Sequence, residues 1–281
     1  MINSKFTLSV ILLLVGAFGC YAQEETKLPL TYQSLSIGSG FSSAYDSYLS
    51  PLKYKGWNIG LMGEQMKTSR LLNDRLSIQQ LFFLEFADLK NPSKSTNAYM
   101  GSLEYNYGWF YRFNDIRKLQ LWSGLQGDVL AGAIYNLRNT NNPANAKVNL
   151  NINLSGRAAY LFHIKRQAVQ LRYQLDLPFV GALFSPEFGQ SYYEISLGDG
   201  SQLVHFAAWH NRFAMRNLFS VEVPLNFCTL RLSVLNWLYE TQVSELNTRI
   251  TSNSIYMGIS RYFYTVPGTK TDKNKYRYVF E

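Results

Sequence analysis

Val148-Asn149-Leu150-Asn151-Ile152-Asn153-Leu154-Ser155 alternates apolar and polar residues without a break, and the pattern runs on through Arg157, Ala158, Tyr160 and Phe162. Successive side chains of a strand point to opposite faces, so a period of two marks a strand with one oily and one polar face. The same reading extends along the chain. Val169, Leu171, Tyr173, Leu175, Leu177 and Phe179 oppose Gln170, Arg172, Gln174 and Asp176. Leu103, Tyr105, Tyr107, Trp109, Tyr111 and Phe113 oppose Ser102, Glu104, Asn106, Gly108 and Arg112. Leu119, Leu121, Leu125, Val129, Ala131 and Ala133 oppose Gln120, Gln126 and Asp128. The runs are much longer than the usual strand of roughly five or six residues, and roughly 9–11 residues carry a tilted strand across a bilayer.

Composition agrees. Aromatic residues make up 15% of the 281, charged residues only 16%, and mean hydropathy is −0.14. Ordinary soluble domains carry roughly 25% charge. A chain rich in rings, poor in charge and not apolar on average must interleave its residue types finely. These features predict an all-β fold: a transmembrane antiparallel up-and-down β-barrel. Its partner is then outer-membrane lipid. The net charge of +8 is spread thinly, with no basic helix or RNP-like motif, so nucleic acid is not an expected partner.

Strands are expected near 31–41, 54–67, 75–88, 98–113, 118–136, 147–162, 167–180, 215–224, 228–241 and 251–264. Short joins at 68–74, 114–117, 163–166 and 225–227 then alternate with longer ones at 42–53, 89–97, 137–146, 181–214 and 242–250. That gives ten strands with both termini on one side. A possible hairpin in the longest join, Tyr192 to Leu197 and Leu203 to Trp209 around Asp199-Gly200, would raise the count to twelve.

The chain opens with a secretory pattern. Lys5 precedes the apolar stretch Leu8 to Phe18, and Cys20-Tyr21-Ala22 places small residues for cleavage before Gln23. The domain reading is a signal peptide over 1–22, a barrel over 23–267 and a basic, loose tail over 268–281. Lipidation at Cys20 is a second reading of the leader. After cleavage Cys228 stands alone, so no internal disulfide is available.

If the oily faces meet lipid, the polar faces fill the lumen. Inward positions then include Glu64, Glu85, Glu104, Arg112, Asp128, Arg157, Arg172, Asp176, Glu222 and Arg231. Buried charges must be paired or hydrated. In one reading, Arg157, Arg172 and Arg231 neutralise the carboxylates and block the lumen. In the other, the upper carboxylates Glu85, Glu104, Asp128 and Asp176 form a cation or substrate site open to the outside. No cofactor motif and no metal-ligand spacing is present: His205 and His210 are five apart, and His-Glu-x-x-His and Gly-x-Ser-x-Gly are both missing. A hydrolytic site, if there were one, would draw on Glu187, Ser191, Glu194, His205 and His210 in the long segment 181–214. The aromatic, acidic stretch Phe184 to Glu194 suits a loop that packs on its own rings, folds into the barrel mouth or meets a partner.

Tyr48-Leu49-Ser50-Pro51-Leu52, Tyr135 to Asn139 with Asn141 to Ala144, Leu171-Arg172-Tyr173-Gln174-Leu175 and Phe184 through Glu194 resemble the DUF3316 family, uncharacterised exported proteins of Bacteroidota. The resemblance implies an envelope location and no activity. The expected function is therefore a non-enzymatic outer-membrane barrel, structural or binding, with a charge-filled lumen. A small-solute channel, an outer-membrane hydrolase acting at 181–214 and a soluble or lipid-anchored periplasmic β-domain are the alternatives.

Overall fold

The computed structural model describes residues 28–69, 72, 75–113, 116, 118–140, 142–164, 167–198, 203–225, 228–264 and 276–277. The leader 1–22, Asp199-Gly200 and all of the tail except Tyr276–Arg277 lie outside the described residues.

The elements in chain order are β1 (Leu28–Asp46), β2 (Ser50–Thr68), β3 (Leu76–Lys90), β4 (Asn97–Arg112), β5 (Leu119–Asn136), β6 (Ala144–Ile164), β7 (Gln167–Phe184), α1 (Tyr192–Ser196), β8 (Val204–Ala208), β9 (Arg212–Pro224), β10 (Thr229–Val243), β11 (Leu246–Tyr264) and β12 (Tyr276–Arg277). Neighbouring strands pair antiparallel in sequence order from β1 to β7, then β9, β10 and β11. Pairing of β1 with β11, from Leu30↔Tyr264 to Asp46↔Thr248, closes the ring. The result is a closed antiparallel barrel of ten wall strands. Closure gives every wall strand two neighbours, as a lipid environment demands, although β9 meets β7 only from Gln170↔Glu222 to Asp176↔Arg216.

Beyond the ring, β8 pairs only with the end of β7, from Val180↔Ala208 to Phe184↔Val204. The other half of the supposed hairpin, Tyr192–Ser196, is a single helical turn. The twelve-strand alternative therefore fails, because Ser191 and Glu194 form a reciprocal capping box that favours helix. β12 makes a two-residue parallel pairing with Leu28–Pro29, so that part of the tail is paired rather than loose.

We call the end where β1 begins and β11 finishes the base, and the opposite end the mouth. The expected alternation of short and long joins does not hold. At the mouth, β1 and β2 join through 47–49, and β10 and β11 through 244–245. Ser244 and Glu245 both adopt positive φ, 52° and 61°, the backbone of a two-residue hairpin turn. Ten strands follow from the register rather than from loop length.

The oily faces point outward around the wall. Leu150 is 60% exposed, Ile37 60%, Met257 58% and Leu125 51%, whereas Asn149, Asn151, Asn153 and Ser155 between the β6 apolar residues are buried. This is the inverse of a sandwich, whose apolar faces meet each other. An outward apolar band over polar inward positions is the pattern of membrane barrels.

Candidate functional site

The interior of the barrel is where the chain gathers its chemistry, and it is built in tiers. At the base, Tyr32, Met66, Phe110, Trp122 and Ala159 form a buried apolar stopper. Arg157 lies within it, its guanidinium 4.0 Å from the Phe110 ring centroid and 5.7 Å from that of Trp122. Its three nitrogens have no hydrogen-bond partner among the described residues. Arg157 makes no ion pair among the described residues, and its guanidinium lies against two ring faces.

Immediately above sits a lower charged tier. Arg172 donates to Glu64 Oε1 at 2.5 Å and to Glu222 Oε1 at 2.9 Å. Arg231 donates to Glu64 Oε2, to Ser34 Oγ at 2.6 Å, to Tyr32 Oη at 3.0 Å, and to Ser233 and Ser220 at 3.1 Å each. Tyr32 in turn donates to Glu222 Oε1 at 2.5 Å. Five strands supply these side chains, so the tier ties the wall together across the lumen.

Three amides carry the network upward. Gln79 donates to Glu64 Oε1 at 2.6 Å and to Gln174 Oε1 at 2.9 Å, Gln126 donates to Gln79 Oε1 at 3.0 Å, and Gln174 donates to Asp176 Oδ1 at 2.9 Å. Asp176 and Glu104 belong to the upper tier, where both pair with Arg216. Arg216 also donates to Asn106 Oδ1 at 2.8 Å and lies 4.6 Å over the Phe83 ring. Arg212 donates to Asn151 Oδ1. Asp128 makes no ion pair among the described residues and accepts from Asn151 and Asn153 at 3.3 and 3.4 Å. The space left among Glu104, Asp128, Asn153 and Arg212 is about 20 Å³, room for roughly one water molecule. Glu85 stands apart, accepting from Ser252 at 2.7 Å and Ser42 at 3.1 Å.

A second stopper closes the lumen toward the mouth. Tyr54, Leu89, Met100, Ile134, Tyr239 and Ile250 pack together, fully or almost fully buried. The interior is thus not charged throughout: apolar clusters close both ends, and a third, of Met62, Leu81, Phe83, Leu218, Leu235 and Tyr256, lies beside the charges between them. Over the mouth, Lys147 pairs with Asp46 at 2.8 Å across the opening. The segment before α1 crosses above them. Tyr192 Oη donates to Asn145 Oδ1 at 3.1 Å and accepts from the Ala146 N–H at 2.7 Å, while Tyr48 donates to the Gln190 carbonyl at 2.8 Å. Burial, and then the neighbouring Tyr192, Asp46 and Glu194, push the Tyr48 hydroxyl up to about 12.

The structure thus gathers Glu104, Asp128 and Asp176 in one tier and Arg172, Glu222 and Arg231 in another, with Arg157 below and Glu85 separate. It does not assemble the loop residues. Ser191 Oγ accepts from the Glu194 N–H at 3.2 Å and donates to its carboxylate at 2.9 Å, which is a helix cap. His205 Nε2 lies 3.3 Å from both the Ser185 carbonyl and Ser244 Oγ, His210 stacks on Phe206, and Glu187 is exposed. Among the described residues, neither imidazole is hydrogen-bonded to Ser191, Glu187 or Glu194, and no group of three or more His, Cys, Asp or Glu is placed to hold a metal ion. Sequence reasoning missed Arg212, which precedes the strand expected at 215–224, and Arg216, which lies within it at the same inward parity as Glu222; the alternation of β9 from Arg212 through Ala214 places both inside.

The profile of a family described as "Protein of unknown function (DUF3316)" matches residues 6–270. No curated protein matches the chain. Among solved structures, the chain is similar to the transport unit of the autotransporter AIDA-I from Escherichia coli, with 8% identity, TM-score 0.42, and 92% of this chain and 97% of that one covered. It is also similar to the outer-membrane protease OmpT from Escherichia coli, with 7% identity, TM-score 0.44 and coverage of 86% and 99%. The translocator domain of the autotransporter NalP from Neisseria meningitidis gives 9% identity, TM-score 0.39 and coverage of 92% and 96%.

Proposed function

Since this chain belongs to DUF3316, a family whose description assigns no activity, we propose a role from the molecule itself: a sealed outer-membrane β-barrel that conducts no solute, performs no chemistry of its own and serves as a structural or binding element. The observation that carries this reading is the lumen. Apolar stoppers at base and mouth enclose two ionic tiers joined by glutamines, and the space left within the upper tier is about 20 Å³. A hydrated ion needs a continuous wet path, and an unpaired charge is expensive to move through such an interior. The export leader read at 1–22 supports delivery to the outer membrane. Binding would then fall to surfaces outside the lumen, such as the mouth segment with its exposed Phe188, Tyr193 and Leu197.

Planar-bilayer recording tests the proposal. Purified mature barrel should insert and give no steady single-channel current. A reproducible unitary conductance would overturn it.

A further inference from the structure

On the β9–β10–β11 face a row of side chains breaks the outward apolar band. Asn253 of β11, Asn236 of β10 and Asn217 of β9 are register partners, and all three face out of the wall. They form a continuous ladder. Tyr173 Oη donates to Asn217 Oδ1 at 2.7 Å, Asn217 Nδ2 to Asn236 Oδ1 at 3.1 Å, and Asn236 Nδ2 to Asn253 Oδ1 at 2.7 Å. Apolar residues flank the row on the same face: Val234 and Leu238 on β10, Phe219 and Met215 on β9, and Ile255 below Asn253 on β11. The nearest outward charges toward the mouth are the Arg249–Glu240 pair, four residues along β11 and β10. At about 3.3 Å per residue and a tilt near 40°, that is roughly 10 Å. The row therefore lies inside a band that is about 25 Å tall in barrels of this kind.

Each asparagine amide offers two N–H groups and two lone pairs. The ladder uses one N–H each from Asn217 and Asn236. Asn253 Nδ2 has no acceptor among the described residues. Hydrocarbon provides no partner for these groups, and leaving them unpaired there is costly.

We infer that the β9–β10–β11 face is covered in the membrane by a second copy of this chain, with the asparagine rows of the two copies hydrogen-bonded across a two-fold axis. The inference rests on the reading that the outward faces meet lipid. A row of amides is self-complementary, because every residue both donates and accepts, and an isologous contact needs that property. Turned antiparallel, the free amide at the Asn253 end of one row meets the spare lone pairs toward Asn217 of the other. No outward charged side chain stands between Arg249 and Arg261 on β11, so like-charge repulsion does not oppose the contact. The aliphatic residues on either side of the row supply packing, as small and polar contacts do between membrane-embedded segments.

The test places the photo-crosslinker benzoylphenylalanine at Val234, beside the row, or at Leu103 on β4 across the barrel, in the full chain expressed in outer membranes. Irradiation should give an adduct of two copies from position 234 and none from 103. Adding Asn236→Leu should cut that adduct at least tenfold while the barrel stays folded, read as an unchanged heat-modifiable band. Equal adducts from both positions, an adduct with a different protein, an adduct insensitive to Asn236→Leu, or no protein adduct from a chain in the membrane fraction would each overturn the inference. Recovery of the chain in the soluble fraction would instead overturn the membrane reading beneath it.

Discussion

Replacing Arg216 with methionine removes the cation that bridges Glu104 and Asp176 in the upper tier and keeps most of its volume. Arg216 bonds Glu104, Asp176 and Asn106, and its plane covers Phe83. After the change, Glu104 keeps one amide donor, Asn106 at 2.9 Å, and Asp176 keeps Gln174 at 2.9 Å, but neither has a counter-charge in contact. Removing one member of a buried ion pair costs about 3–5 kcal/mol, because the partner is left as an uncompensated charge. With a guanidinium slope of roughly 4 kcal/mol/M, the unfolding midpoint of the barrel in vesicles should fall by about 1 M. The assay is tryptophan fluorescence against denaturant. The companion variant carrying Arg216→Met, Glu104→Gln and Asp176→Asn should recover most of the loss, since neutral amides can satisfy one another. If Arg216→Met alone shifts the midpoint by less than about 0.1 M, the tier is not a dry, mutually dependent network and the sealed-lumen reasoning is wrong.

Two further outcomes concern the mouth. Tyr192→Phe removes an acceptor for the Ala146 N–H and a donor to Asn145; at about 1 kcal/mol, limited proteolysis within 185–198 should speed up about fivefold, and an unchanged nicking rate would refute the strap role. The Ser191 backbone N–H, and then its hydroxyl, hold the Glu194 carboxyl below its usual value. A depressed carboxyl contributes fully above its unfolded pKa and is lost as pH falls through the folded one. Hydrogen-exchange protection of α1, corrected for intrinsic rate, should therefore fall on acidification below about pH 4, and Glu194→Gln should flatten the profile; coincident profiles would contradict the capping account.

Much of the wall was legible because one physical rule, period-two alternation, acts residue by residue. Val148 to Phe162 reads as β6 without help from any other segment. The joins were less legible. Ser42, Ser43, Ala44 and Asp46 look like a loop by composition, yet they continue β1, with Ser43 hydrogen-bonded to Thr251 at 2.6 Å. Ser244-Glu245 forms its tight turn without glycine or asparagine, so the usual hairpin signal is missing. α1 did carry its signal, the Ser-x-x-Glu box at 191–194, but five residues are too few for helical periodicity to show. The apolar stopper near the mouth was hidden for a different reason. Met100 and Ile134 face inward where Tyr99 and Tyr135 face out, so both faces are apolar there and alternation carries no contrast. Pairings such as Arg216 with Glu104 depend on which strands meet across the lumen, which no local pattern encodes.

Spin labels placed singly from position 148 to 155 of β6, with accessibility to oxygen and to a water-soluble nickel chelate measured in vesicles, test the central claim most directly. The account predicts that positions 148, 150, 152 and 154 admit oxygen and exclude the chelate, while 149, 151, 153 and 155 exclude both. Chelate reaching the odd-numbered inward positions would mean an open, wet lumen, and equally low oxygen access at all eight would mean that the oily face is packed against protein rather than lipid.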